Sequence, residues 1–413
     1  MTNVVRRAAR GACFALGVFM MAAGVAPAAH AASPLTPGDL VVYRVGTGSA
    51  ALTSASTAVF LDDFATTGTG QVPKGSLPLP TASAGANAAV TSSGTATSEG
   101  ELALSADGSS VIATGYGVAP GTASIANTAS PTTSRVVAIA NVGTGTVDSS
   151  TALSAYSGNN IRSAVTDGAN AWTSGTGSAT PNGISYGTID PASPPEIPTT
   201  VSGTVTNTRQ VQVINGTVWF STGAGTRGIY TFGSEPTSAT APTNVIPTGS
   251  TSSPYGFVMA RLGSGPTSNG FDTAYVADDT ASTGGIQKWT FNGTAWSLTG
   301  TVTAATGARG LVGLVTSGGV QLYSTTGGNG AAGGGSLWSY LDAAGFGASP
   351  SGSLVTLATA PTNEAFRGVV LLPNGSGPAL PEAPLAVLMP VAAGAGFIVL
   401  SVARRRRRRP ATV

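Results

Sequence analysis

Six times along this chain a short apolar run opens after a polar residue and ends in a turn carrying glycine. The runs are SEGELALSADG (98–108), NIRSAVTDG (160–168), TRQVQVING (208–216), PYGFVMARLG (254–263), ARGLVGLVTSG (308–318) and FRGVVLLPNG (366–375). Two belong to a longer phrase, NNIRSAVTDGANAWTSGTG at 159–177 and NTRQVQVINGTVWFSTG at 207–223. Each reads Asn, one residue, Arg, an apolar run, Asp-Gly or Asn-Gly, then a Trp-bearing run closing on Ser/Thr-Gly. Asn-Gly and Asp-Gly favour the positive φ of tight hairpin turns, so runs joined this way pair antiparallel.

Second strands follow most of these runs (SSVIATGYG, NAWTSGTG, TVWFSTGA, DTAYVADDT, VQLYSTT). Third strands follow those (RVVAIANVG, GISYGTID, RGIYTFG, GIQKWTFNG, GSLWSYLDA), and weaker fourth strands include TTVSGTVT, TNVIPTG, AWSLTGTVT and SLVTLATA. Helical 3.6-residue periodicity is almost absent from the body. Four antiparallel strands in every ~46–63 residues is the pattern of a β-propeller. The sixth run breaks off after one strand, while GDLVVYRVGTG (38–48), TAVFLDDFATTG (57–68) and GQVPKGSLPLP (70–80) read as strands with no first strand before them. One blade built from 366–373 plus 38–80 accounts for both and hides the sheet edges. The expected fold is an all-β, six-bladed propeller over 38–373; seven blades follow if 81–97, read as loop, hides further strands. AYVADDTASTGGIQKWTF (274–291) resembles an NHL-type repeat. The resemblance, to secreted bacterial propellers, implies a binding scaffold more than an enzyme.

The ends carry addresses. Arg6, Arg7 and Arg10, the apolar stretch 13–25 and Ala29-His30-Ala31 read as a signal peptide over 1–31. At the other end, a linker over 374–384 holds the motif Leu380-Pro381-Glu382-Ala383-Pro384. The apolar run 385–403 is long enough for a transmembrane helix, and six arginines in the tail 404–413 hold that end in the cytoplasm. Motif, helix and basic tail resemble the tripartite PEP-CTERM and LPXTG sorting signals, although Ala383-Pro384 replaces the Thr-Gly of the latter. The resemblance implies surface retention and a sortase-like processing enzyme as partner; a plain single-pass anchor is the alternative.

Composition excludes much chemistry. His30 and Cys13 are the only His and Cys and lie in the signal peptide, so the mature chain has no imidazole, thiol, Ser-His-Asp triad or His-ligated metal. Over residues 32–384, ten Lys and Arg face all seventeen Asp and Glu, a net charge near −7. Nucleic-acid binding needs the opposite sign.

Aligning the six runs exposes a column: Glu99, Arg162, Arg209, Tyr255, Arg309 and Arg367. First strands line a propeller's channel, so this column forms a ring near one mouth. The next row, Gly100, Ser163, Gln210, Gly256, Gly310 and Gly368, is mostly small, as crowded inner strands require. Neighbouring cations ~8 Å apart at an effective dielectric of ~20 repel by about 2 kcal/mol. Either Glu99, Glu101, Glu364 and strand-end carbonyls satisfy the guanidiniums as a closed plug, or the ring holds an anion: a carboxylate, a phosphate or an acidic glycan.

Asp278-Asp279 and Asp62-Asp63 sit at hairpin turns; Asp278 and Asp279 are the candidate Ca²⁺ ligands, with a solvated hairpin as the alternative. Trp172, Trp219, Trp289, Trp296 and Trp338 read as packing between blades rather than sugar platforms. No other cofactor is expected. The sequence thus points to an exported bacterial surface propeller acting as a binding module. The rival readings are a carboxylate- and arginine-based hydrolase or lyase of the envelope and a purely structural surface protein.

Overall fold

The computed structural model describes residues 34–189, 195–328 and 330–374. The signal peptide, sorting motif, apolar run 385–403 and basic tail lie outside them. No helix among the described residues is long and apolar enough to cross a membrane. The described chain is all-β, with one short 3-10 turn at Ile125–Asn127.

The strand at the end of the described chain pairs with the strand at its start. The first three strands are β1 (Leu40–Val45), β2 (Ser56–Phe64) and β3 (Gly75–Pro78). The last, β26 (Glu364–Leu371), lies antiparallel to β1, which pairs β2, which pairs β3. Residues more than 300 positions apart therefore share one sheet, as the unmatched half-repeats at the two ends require.

The next group is β4 (Thr91–Ser93), β5 (Ala103–Leu104), β6 (Ser110–Tyr116), β7 (Arg135–Asn141) and β8 (Val147–Leu153). Four sheets of four strands follow. They are β9 to β12 (Ile161–Thr166, Asn170–Gly175, Ser185–Thr188, Thr199–Thr200) and β13 to β16 (Thr208–Ile214, Thr217–Thr222, Gly228–Thr231, Thr243–Pro247). Next come β17 to β20 (Pro254–Ala260, Thr273–Asp278, Gly285–Phe291, Trp296–Thr303). The last sheet holds β21 (Leu311–Thr316), β22 (Gly319–Thr325), β24 (Ser336–Asp342) and β25 (Val355–Thr359). The two-residue β23 (Gly333–Gly334) pairs parallel with β26 instead.

Segment 81–97 is not wholly loop. β4 inside it bonds to both β2 and β6 and fuses two groups of strands into one ten-stranded sheet. The run at 98–108 contributes only the two-residue β5, and Gly100 ahead of it takes φ +80, which is not a strand conformation. β8, with the sequence VDSSTAL, carries too few apolar residues to announce itself as a strand.

First strands lean on one another in sequence. Glu101 N donates to Arg162 O (3.0 Å), Gly256 N to Arg309 O (2.9 Å) and Gly368 N to Gly100 O (3.0 Å). Ser174 Oγ bonds Arg209 O and Thr325 Oγ1 bonds Arg367 O. With Arg209 Nη1 on Pro254 O (3.0 Å), this series of neighbours returns to its start. Apolar clusters fill the gaps between neighbouring sheets. Trp219, Phe257, Trp289 and Trp296 share one cluster, and Trp172, Val211 and Phe220 another. A fully buried ion pair, Lys288 Nζ to Asp342 Oδ2 at 2.7 Å, ties β19 to β24.

Candidate functional site

The row of small residues explains the site's position. A Cβ on Gly256 would lie 2.5 Å from Leu311 N and 2.7 Å from Arg309 O. On Gly368 it would lie 2.5 Å from Leu102 N and 2.6 Å from Gly100 O. At this level backbones touch, so the larger residues one position earlier are confined to the mouth where the first strands begin.

There the column follows a rule written in the repeated phrase. Glu99, Arg162 and Arg209 each reach the residue two positions before their counterpart in the next sheet. Glu99 Oε1 accepts from Asn160 Nδ2 (2.5 Å), Arg162 Nη1 donates to Asn207 Oδ1 (2.5 Å), and Arg209 Nη1 donates to Ser253 Oγ (2.9 Å). The Asn of each Asn-x-Arg phrase is therefore the socket for the preceding sheet. The glycine that ends the second strand has a purpose too. Arg209 packs on Gly223 and Arg309 on Gly327, where any Cβ would collide with the guanidinium or its stem.

Arg309 and Arg367 break the rule. Arg309 Nε and Nη2 take both oxygens of Asp279, each at 2.7 Å, and Nη1 reaches Thr97 O. Arg367, 1% exposed, donates to Gly328 O, Phe366 O (3.3 Å) and Gly94 O (3.2 Å). Tyr255 joins the group through its ring. The guanidinium carbons of Arg209 and Arg309 lie 3.9 and 4.9 Å from its centroid, within cation–π range.

The carboxylates do not fall where the column and its neighbours suggest. Glu99 is buried but bonded to Ser92 Oγ, Ser93 N, Tyr116 Oη and Asn160, and takes no guanidinium. Glu364 pairs with Arg44 at 3.0 Å, outside the ring. Of the three glutamates, Glu101 is the one that lies among the arginines. It is 1% exposed, and Oε2 has no hydrogen-bond partner. Burial pushes its pKa from 4.5 up to about 7, against the pull of Arg309, Arg209 and Arg367.

Only Arg309 of the ring has an ion pair; Arg162, Arg209 and Arg367 have none among the described residues. The Nε of each of these three is buried and unpartnered. Burial lowers the pKa of Arg162 and Arg367 to about 10, with repulsion from Arg309 adding to the effect at Arg367. At neutral pH all stay charged. Buried cations without a counterion are costly, so this end of the channel favours an added negative charge.

The Asp278-Asp279 hairpin is not solvated. Asp278, 3% exposed, accepts from Ser253 N (2.8 Å), Thr280 N (2.9 Å) and Gln287 Nε2 (2.7 Å), while Asp279 holds Arg309. No group of three acidic, His or Cys side chains suited to a metal occurs among the described residues. Trp172, Trp219, Trp289 and Trp296 are buried in the clusters between sheets, and Trp338 is part-buried.

Gln210 is the residue that sequence reading passed over. In a row of small residues its side chain spans to two other sheets, Nε2 to Leu102 O (3.1 Å) and Oε1 from Phe257 N (3.1 Å). Gln212 Nε2 braces it at 2.8 Å. Its length in that row was the available signal. Beyond this bridge, where the first strands end, the channel opens into a cavity of about 610 Å³, with Glu235 the only ionisable lining residue among the described residues.

No family model matches the chain, and no curated protein does. Among solved structures it is similar to a Bacteroides uniformis protein described as a 6-phosphogluconolactonase, at 16% identity and TM-score 0.41, over 78% of this chain and 83% of that one. It is also similar to a gluconolactonase from Xanthomonas campestris, at 12% identity and TM-score 0.40, over 81% and 90%. Likeness at this level says nothing of what this chain does.

Proposed function

We propose that the mature chain is a six-bladed β-propeller held at the bacterial surface by its C-terminal apolar run, and that it serves as a binding module for a small anion or an acidic glycan. One observation carries the ligand class: Arg162 and Arg367, both buried, and Arg209, part-buried with its Nε buried, converge without an ion pair among the described residues. A carboxylate or phosphate supplies acceptors in the fork geometry that guanidinium favours. Arg209 and Arg309, the less buried pair, flank Tyr255 and form the way in. Glu101 competes with the ligand, so binding strengthens as it protonates.

Calorimetric titration of the full chain with inorganic phosphate and with galacturonate tests this. The expected result is saturable binding that is tighter at pH 6 than at pH 8. Arg209→Gln should weaken it about tenfold, roughly 1.4 kcal/mol. Absence of binding at both pH values ends the proposal.

One observation favours a second reading, a hydrolase or lyase acting on an acidic envelope polymer. A carboxyl poised near pH 7 beside arginines suits general acid–base work, and Glu101 has that property. Incubating the chain with oligogalacturonides and looking for shortened or unsaturated products decides it; unchanged substrate rejects catalysis on that polymer.

A further inference from the structure

The strands that crowd together at the arginine end part at the other. Leu104, Val213, Met259, Val312, Leu314 and Leu371 line the resulting cavity of about 610 Å³, within the range of small-molecule sites. All but Met259 are only partly buried, so apolar surface faces the open space. The hydrogen-bonded pair Gln210 and Gln212 lies at its inner end, toward the arginines. Pro373 and Asn374 line it as well, which puts the exit of the described chain at this mouth.

We propose that this cavity takes one hydrocarbon chain of a membrane lipid. The assignment rests on the C-terminal anchor proposed above and is independent of the anion site. Residues 375–384 separate Asn374 from the apolar run at 385. Ten residues extend at most about 33–36 Å, so the mouth stays within reach of the bilayer surface. An acyl chain needs no polar partner, and most of the cavity's exposed wall is apolar, with polar side chains such as Gln210 and Gln212 at the inner end. Glu235, together with the net negative charge of the body, disfavours an anionic headgroup and favours a zwitterionic one.

The test reconstitutes the full chain into phosphatidylethanolamine vesicles containing a trace of the same lipid with a photoactivatable diazirine on one acyl chain. Cross-links are then mapped by mass spectrometry. The expected result is flotation with the vesicles and labelling of 311–314 and 369–372 at least fivefold above Leu298 and Val355, which are exposed on outer strands. Leu314→Trp and, separately, Val312→Trp should reduce the labelling without changing flotation. Flotation with labelling no higher than at Leu298 and Val355 overturns the lipid assignment. So does labelling that survives both variants when they melt as wild type does. Failure to float overturns the anchor, and the lipid proposal with it.

Discussion

The first strands of this protein make two opposite environments from one set of backbones. Where they begin, Gly256, Gly310 and Gly368 let main chains touch, and four arginines with Glu101 are packed into what remains. Where they end, branched and long apolar side chains hold the same strands apart around a cavity. At the first end backbones touch, and three guanidiniums, though hydrogen-bonded, have no ion pair among the described residues. At the second there is room and almost no charge. Substitutions should accordingly be judged by their end of the channel rather than by residue type.

The largest effect should come from adding bulk at the crowded end. Gly256→Val places a side chain against the backbone of Leu311 and Arg309, which cannot yield without separating two sheets. A loss of about 4 kcal/mol or more is expected, read as failure to fold or a collapse of Tm. A Gly256→Val protein that melts within a few degrees of wild type would break the contrast between the ends. Next comes Arg367→Ala, which strips donors from the buried carbonyls of Gly94 and Gly328; about 3–4 kcal/mol should be lost in denaturant melts.

Glu101 makes stability depend on pH. Its folded pKa, about 7, lies above the ordinary 4.5, so between these values the folded state binds more protons than the unfolded one. Stability is therefore greatest below pH 4.5, falls as pH rises to about 7 and is level beyond, by about 3 kcal/mol from this group. Glu101→Gln should remove that slope, and denaturant melts from pH 4.5 to 8 measure it. A slope unchanged in the variant would place its cause elsewhere. The smallest effect belongs to the roomy end. Leu314→Gln should cost less than about 1 kcal/mol, because the side chain is only part-buried and its new amide can meet water.

Much of the architecture could be read from residues. Turn pairs such as Asp167-Gly168 and Asn215-Gly216 set the hairpins, because Gly168, Asn215 and Gly216 take positive φ angles that only a few residue types accept. The pairing of β26 with β1 followed from counting unmatched strands. Strands without an apolar stripe escaped notice: β4, with the sequence TSS, and β8, with VDSSTAL. Their backbones are held by neighbours, and their side chains say little. The arginine column was visible because hairpin repeats keep phase. Its partners were not, since Glu99 and Glu364 look as suitable on paper as Glu101 and Asp279 do in space.

By itself the sequence determined that this is an antiparallel β protein built of repeated hairpins, with no His or Cys beyond residue 30. Those conclusions rest on local rules, turn geometry and the residues present. Only the tertiary structure decided that Glu101 lies among the arginines, that Gln210 bridges sheets and that the far mouth is a cavity. The physical reason is distance along the chain. A guanidinium's partner comes from another sheet tens to hundreds of residues away, and a shift of one residue between sheets would hand it a different one.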